Sequence, residues 1–306
     1  MHAISVRDLS KNYGPVRAVN GLSFDVSEGE IVALLGPNGA GKTTTIEILE
    51  GHRRRSGGQV SVLGLDPEHG GRRFRERIGI MLQSGAVDAE LTVVETLRLY
   101  ASFYRQPQTV EQVLALTDLG HHADTRVQAL SGGLERRLDL GLALIGDPQV
   151  IFLDEPTTGF DPTARRAAWD MVERLRTLGK TVLLTSHYMD EVEHLADRIV
   201  VMRNGVRVAE STPRKLGGRD LAQAVVSFVV PYPGWEGELP AGPWQSPQQE
   251  GDVVLLHTDQ PTKAMSILAT WAIERGEELL GLTVTRPSLE DAYLQVTRDV
   301  DSVQPR

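Results

Sequence analysis

Residues 31–50 read Ile31-Val32-Ala33-Leu34-Leu35-Gly36-Pro37-Asn38-Gly39-Ala40-Gly41-Lys42-Thr43-Thr44-Thr45-Ile46-Glu47-Ile48-Leu49-Glu50. The first five are continuously apolar, which suits a short strand buried on both faces. A glycine-rich turn follows, and Lys42 to Glu50 opens a helix that Gly51 closes. Residues 36–43 fit G-x-x-x-x-G-K-[ST] in the strand–turn–helix setting that gives the pattern its meaning. Glycines let backbone N–H groups wrap the β- and γ-phosphates of a nucleotide without side-chain clash. The helix aims its N-terminal dipole at the anion. Lys42 supplies a point charge to the β/γ oxygens, and the Thr43 hydroxyl is a Mg²⁺ ligand. The expected phosphate site is therefore Gly36, Pro37, Asn38, Gly39, Ala40, Gly41, Lys42, Thr43 and Thr44.

Upstream, Ala3 to Leu9 and Leu22 to Val26 alternate as strands, with Tyr13, Gly14 and Pro15 in a loop between them. Downstream, Gln59 to Leu63 and Ile78 to Leu82 read as strands, the second ending at Gln83. From Thr92 to about Gly146 the period becomes helical. Val93, Leu97, Tyr100 and Ala101 share one face. Val110, Val113, Leu114 and Leu116 mark a second helix, and Leu134, Leu138, Leu142 and Ile145 a third. Strand and helix then alternate: Val150–Asp154, Pro162–Leu178, Thr181–Thr185, Met189–Ala196 and Ile199–Met202. That alternation implies a parallel sheet with helices packed on it.

Gly217 and Gly218 mark a boundary. Beyond it, strands at Val225–Val230, Val253–His257 and Leu279–Val284 and helices at 262–275 and Ser288–Val296 form a small α/β appendage. The expected layout is a main domain over 1–216 with an inserted helical subdomain at about 88–147, an accessory domain over 217–300, and a tail at 301–306.

Bulk properties narrow the class. The 306 residues carry 41 acidic and 32 basic side chains, a formal charge of −9. A nucleic-acid binder usually carries a basic excess, so none is expected as partner. With no cysteine, disulfides, thiolate metal sites and cysteine nucleophiles are impossible. Met1 to Asp8 show no basic stretch followed by an apolar run, so no secretory signal is expected, and no stretch approaches the roughly 18 apolar residues of a membrane span.

Val150-Ile151-Phe152-Leu153-Asp154-Glu155 is an apolar strand ending in two acids. In phosphoryl transfer the first acid holds Mg²⁺, directly or through water. The second orients or deprotonates the attacking water. Standing alone, the stretch reads equally well as a buried strand with exposed terminal acids. Leu130-Ser131-Gly132-Gly133 precedes a long helix, with Ser131 as N-cap and bare glycines leaving the helix end open to an anion. The arginines at 53–55 and at 72, 73, 75 and 77 read as solvated faces.

Together these segments resemble the ABC (ATP-binding cassette) ATPase family over about residues 2–215. The phosphate loop, Gln83, Leu130–Gly133, Asp154-Glu155, Asp161 and His187 stand in that family's order, with Tyr13 at the place of its adenine-stacking aromatic. The resemblance implies a P-loop NTPase α/β fold with an antiparallel β layer and an inserted helical subdomain. It implies ATP and Mg²⁺ as cofactors. Tyr13 would stack on adenine. Gln83 would sense Mg²⁺ and the attacking water. His187 would hydrogen-bond the γ-phosphate, and Asp161 would contact a second protomer. Ser131, Gly132 and Gly133 would bind the γ-phosphate held by that protomer, so two subunits, expected as a homodimer, would sandwich two ATP molecules. Leu134 stands where the signature has glutamine and offers no side-chain hydrogen bond, which loosens the expected coupling geometry. Phe160 replaces leucine before Asp161.

Met81-Leu82-Gln83-Ser84, Leu91-Thr92-Val93-Val94-Glu95-Thr96-Leu97 and Pro287-Ser288-Leu289-Glu290-Asp291-Ala292-Tyr293-Leu294 resemble ATPase subunits of daunorubicin-resistance and ABC-2-type exporters. In that subgroup the permease is a separate multi-span chain. The implied place is the cytoplasmic face of a prokaryotic cell membrane, held peripherally through the permease. The implied cargo is drug-like, lipid or otherwise hydrophobic. The competing readings are a soluble ABC ATPase acting on DNA or the ribosome, and a non-transport conformational switch. No sustained heptad or second phosphate loop supports the first, and Glu155 argues against a non-hydrolysing switch.

Overall fold

The structure, a computed structural model, describes residues 1–81, 87–231 and 234–303. The chain opens with β1 (His2–Tyr13) and β2 (Val16–Ser27), paired antiparallel. Tyr13 was expected in a loop. Instead both strands run on to a tight turn at Gly14-Pro15, and Tyr13 pairs with Val16. The far half of this hairpin is exposed and polar, so its extension is set by backbone pairing and leaves no apolar alternation to read.

β3 (Ile31–Leu35) leads into α1 (Lys42–Leu49), followed by β4 (Gly57–Val62), α2 (Gly71–Arg75) and β5 (Ile78–Met81). Three helices come next: α3 (Val93–Ala101), α4 (Val110–Leu116) and α5 (Gly132–Leu144). The alternating part then runs β6 (Val150–Asp154), α6 (Pro162–Thr177), β7 (Thr181–Thr185), α7 (Met189–Leu195), β8 (Arg198–Arg203) and β9 (Val206–Ser211). β9, half-exposed and short, had no clear apolar signal.

The main sheet has the order β5-β6-β7-β3-β8-β9; β5, β6, β7, β3 and β8 are parallel, and β9 pairs antiparallel with β8. A three-stranded antiparallel sheet, β2-β1-β4, forms a separate layer. Leu9, Leu22 and Phe24 from that layer share one core with Val32, Leu34, Ile46, Leu49, Val150 and Phe152. Each such fully buried side chain stabilises the fold by about 1.5–3 kcal/mol. Strand register brings Asp154 of β6 beside Thr185 of β7, and Thr185 beside Leu34 of β3. The carboxyl ends of the three strands thus share one edge, where open α/β sheets bind ligands.

The helical block closes on its own core of Val93, Leu97, Val113, Leu138 and Ile145, with Tyr100, Leu134 and Leu142 partly buried against it. Thr92 with Glu95 and Thr109 with Gln112 form reciprocal capping boxes on α3 and α4. Each cap residue is worth about 1 kcal/mol. Of the arginine runs, Arg54, Arg72, Arg73 and Arg75 are exposed as expected, while Arg53, Arg55 and Arg77 are half-buried. Arg53 pairs with Glu47 at 2.5 Å, Arg55 with Asp66 at 2.6 Å, and Arg72 with Glu76 at 2.7 Å, while Arg77 donates to Gln149. The Arg72 pair runs along α2, while Arg53, Arg55 and Arg77 bridge separate segments, and a run of like charge does not disclose such partners.

Contacts divide the chain into one unit built on Met1–Pro213 and another over Arg214–Asp299. The second holds β10 (Ala224–Val229), β11 (Gln248–Glu250), β12 (Val253–Thr258), α8 (Pro261–Arg275) and β13 (Thr283–Thr285), and α9 (Leu289–Val303) begins in it. Its antiparallel sheet runs β11-β12-β10-β13. Val226, Phe228, Trp235, Leu256, Leu268 and Trp271 belong to its core. The strand expected at Leu279–Val284 shortens to β13, because Gly281 takes a left-handed φ of 65° and turns the chain before pairing begins.

Candidate functional site

The phosphate loop is forced to be glycine at two points by close backbone approaches. A Cβ on Gly36 would overlap the Met202 carbonyl oxygen of β8 and lie 2.9 Å from the Ala40 Cβ. Gly41 sits at φ +97°, and a Cβ there would overlap the Ala18 carbonyl oxygen of β2. The loop is also pinned from outside: the Ala40 carbonyl accepts the Gly205 N–H at 3.1 Å. Lys42 Nζ donates to the Gly36 carbonyl at 2.7 Å and the Pro37 carbonyl at 3.2 Å, so it reaches back over the loop. Burial lowers the Lys42 pKa, against the attraction of the Glu155 and Asp154 carboxylates. The N-cap Gly41 offers α1 no side-chain acceptor, which leaves its first N–H groups available to an anion.

Gly41→Ala is expected to strain this loop by about 1–3 kcal/mol. At roughly 2–4 °C per kcal/mol, its thermal melt should fall by several degrees together with nucleotide affinity. Wild-type melting and affinity would show that the loop can relax without glycine here.

A cavity of about 660 Å³ opens on the loop. Asn38, Gly39, Gly41, Lys42, Thr43 and Thr44 line one side, and Asp154 and Glu155 another. Val16, Arg17 and Ala18 of β2 and Asn204 complete the described wall. The fold therefore brings the glycine-rich loop and the paired acids to one chamber, although more than a hundred residues separate them in the chain.

The acids are held by groups outside their own strand. Thr185 Oγ1 makes a short hydrogen bond to Asp154 Oδ1, and the same oxygen accepts the Glu155 N–H at 3.1 Å. Glu155 has φ 49°, in the left-handed region uncommon for a non-glycine residue. Thr158 Oγ1 donates to Glu155 Oε2 at 3.1 Å, and His187 Nδ1 lies 3.5 Å from Oε1. From α5, Arg136 donates to the main-chain oxygens of Asp154, Glu155 and Pro156. Thr43 and Asp154 offer a hydroxyl and a carboxylate, the hard oxygen donors that magnesium accepts alongside substrate phosphates and water. Among the described residues no cluster of three or more His, Asp or Glu could hold a metal unaided. The donor set fits Mg²⁺ arriving with nucleotide.

The other expected residues stand outside the described cavity lining, as do Gly36, Pro37 and Ala40 of the loop, although His187 reaches Glu155. Tyr13 is 39% exposed at the end of β1, with Lys11 Nζ 5.1 Å and the Arg53 guanidinium 5.3 Å from its ring, and it does not line the described cavity. Ser131 caps α5, its hydroxyl accepting the Leu134 N–H at 3.4 Å, and Gly132 and Gly133 form the first two helical positions. Asp161 caps α6, accepting the N–H groups of Thr163 and Ala164 at 2.8 and 2.9 Å. A Cβ on Gly133 would lie 3.9 Å from the Ala164 Cβ, so these two helix starts are neighbours. None of these residues lines the described cavity. His187 is half-exposed and stacks on Tyr188 with ring centroids 4.0 Å apart. Gln83 lies outside the described residues.

The chain is similar to known proteins in family profile, sequence and fold. The family profile described as "ABC transporter" matches residues 19–158, and a profile for the "ABC transporter domain-containing protein-like, C-terminal domain" matches residues 224–288. "Nod factor export ATP-binding protein I" of Rhizobium meliloti (strain 1021) is 36% identical over 300 residues, covering 96% of this chain and 88% of that protein. This chain belongs to the ATP-binding proteins of ABC transporters. A protein of the same name from Burkholderia lata is 34% identical to this ATPase over 299 residues, covering 96% of each. Among solved structures, one described as "Structure of ATP binding subunit of ABC transporter" aligns with a TM-score of 0.63 at 28% identity, over 70% of this ATPase and 91% of that chain. The cbiO1 protein of Clostridium perfringens, part of the ABC transporter complex cbiONQ, aligns at 0.64 and 26% identity, over 70% and 90%.

Several residues that shape the ATPase site escaped sequence reading. Thr185 was readable only as a strand end; its role follows from pairing opposite Asp154. Arg136 is one of two adjacent arginines on α5, with nothing local to mark it. Arg17 and Asn204 reach the cavity from β2 and from the turn after β8, as the folded sheets dictate.

Proposed function

We propose that this ATPase hydrolyses MgATP at a dimer interface and drives export of a drug-like, lipid or otherwise hydrophobic compound through a separate multi-span permease. The observation that carries the hydrolytic part is the single cavity joining Lys42 and Thr43 to Asp154 and Glu155. Backbone N–H groups between Asn38 and Thr44 and the Lys42 ammonium hold the β- and γ-phosphates. Thr43 and Asp154, with Gln83, would hold Mg²⁺, which when bound would offset the charge of the phosphate oxygens. Glu155 takes the proton of the attacking water while Thr158 and His187 steady its carboxylate. His187 also reaches the γ-phosphate, and Tyr13 stacks on adenine.

Ser131, Gly132 and Gly133 present an exposed helix start, with Asp161 beside it. In the proposed homodimer they meet the γ-phosphate held by the other protomer. Closure on two ATP molecules pushes the attached permeases, and hydrolysis resets them. Export is supported by the names of the relatives, and by the Pro287–Leu294 segment. Among the described residues no helix is long and apolar enough to cross a membrane, so the permease is proposed as the anchor to the cytoplasmic face. The net charge of −9 favours no nucleic-acid partner. The division into a cassette over 1–216 and an accessory domain over 217–300 is part of the same proposal.

The test is recovery of the tagged chain from detergent-solubilised membranes of its native host, read by mass spectrometry. A multi-span membrane protein in fixed ratio is the expected result. Ribosomal or DNA-associated proteins alone, with the tagged chain in the soluble fraction, would overturn the transport assignment and leave the ATPase chemistry standing.

A further inference from the structure

Arg136 lies one turn inside α5, the helix that begins at Gly132-Gly133, and its side chain is 10% exposed. Its Nη2 donates to the main-chain oxygens of Asp154 at 3.0 Å and Glu155 at 3.1 Å, and its Nε to that of Pro156 at 3.3 Å. Nη1 lies 3.6 Å from Asp139 on the same helix. One planar fork thus grips three consecutive carbonyls at the point where the chain leaves β6. The middle residue of the three is Glu155, held at φ 49°. A left-handed non-glycine residue persists only where its surroundings over-determine it. Here Thr185 holds the Glu155 N–H from one side and Arg136 holds the carbonyls from the other.

We propose that Arg136 is a positioning residue for the Glu155 carboxylate, and that through it the signature helix α5 and the carboxylate of the same chain move as one piece. The proposal rests on the reading of Glu155 as the residue that activates water. A guanidinium suits this task because its donors are fixed in a plane, and a lysine offers only a point charge. The consequence is directional. A phosphate seated at the start of α5 shifts that helix, and the shift reaches Glu155 through three hydrogen bonds, so one ATP site is sensed at the other.

The experiment compares the full-length wild-type chain with R136M, R136K, E155Q and the double variants in steady-state ATPase assays and nucleotide-binding titrations. R136M keeps the side-chain bulk and loses every donor. Misplacing a catalytic group by about 1 Å costs roughly 100-fold, so kcat of R136M should fall roughly 10- to 100-fold with ATP affinity little changed. In the E155Q background the same substitution should remove almost nothing further, since residues acting as a unit are not additive. If R136M does not fold, R136K carries the comparison, because a single ammonium cannot span the three carbonyls. Turnover near wild type in the Arg136 variants, or a full further loss on E155Q, overturns the proposal. Wild-type turnover in E155Q would instead remove the reading of Glu155 beneath it.

Discussion

Replacing Glu155 with glutamine is expected to reduce ATP turnover by roughly 100-fold or more while ATP binding survives. Glutamine keeps the shape of the side chain, and its amide oxygen still accepts from Thr158. It cannot take a proton from water at neutral pH. The phosphate-binding donors, Lys42 and the loop N–H groups, are retained, and losing the Glu155 charge removes one competitor for the Lys42 ammonium. The variant should therefore trap ATP and favour the ATP-bound dimer, visible as a shift in size-exclusion chromatography with MgATP. Turnover at the wild-type level would remove Glu155 as the water-activating group.

Lys42→Ala attacks the same reaction from the binding side. The ammonium is partly buried between the loop carbonyls of Gly36 and Pro37 and the Asp154 and Glu155 carboxylates. Nucleotide phosphates entering the cavity take over that cation. Removing one partner of a desolvated charge pair costs on the order of 2–5 kcal/mol, or about 30-fold or more in affinity. The alanine variant should bind ATP that much more weakly, by titration with a fluorescent nucleotide, and its turnover should fall in parallel. Wild-type affinity and rate would contradict the phosphate-loop assignment. The two variants separate cleanly: one loses chemistry and keeps nucleotide, the other loses both.

The legible part of the site lay where function is written in contiguous residues. The phosphate loop is one such stretch, because its N–H groups, glycines and lysine must follow one another to wrap an anion. The Val150–Glu155 strand is another, since an apolar run ending in acids is visible locally. Tyr13, Asp161 and His187 came from order along the chain and resemblance. In the single chain the first of these is flanked by cations and the second serves as a helix cap. The fold was read best where an apolar run was unbroken, in β3, β6 and β7, or a helical period was strong, in α6. It was read least well at the polar end of the β1–β2 hairpin, at β9 and at β13, where pairing with a neighbour makes the strand.

By itself, then, the sequence determined the class of chemistry and the order of elements, because a phosphate cradle and the strand and helix periods are local. Tertiary structure alone decided that Lys42 and Glu155 share a cavity. That depends on β7 standing between β6 and β3 in register, a choice made by side chains across a buried core. It likewise decided that Thr185 and Arg136 hold the acids. A hydrogen bond between residues 18 to 31 positions apart leaves no trace in spacing. Such contacts exist because the sheet edge and α5 meet at one point, and only the folded chain brings them there.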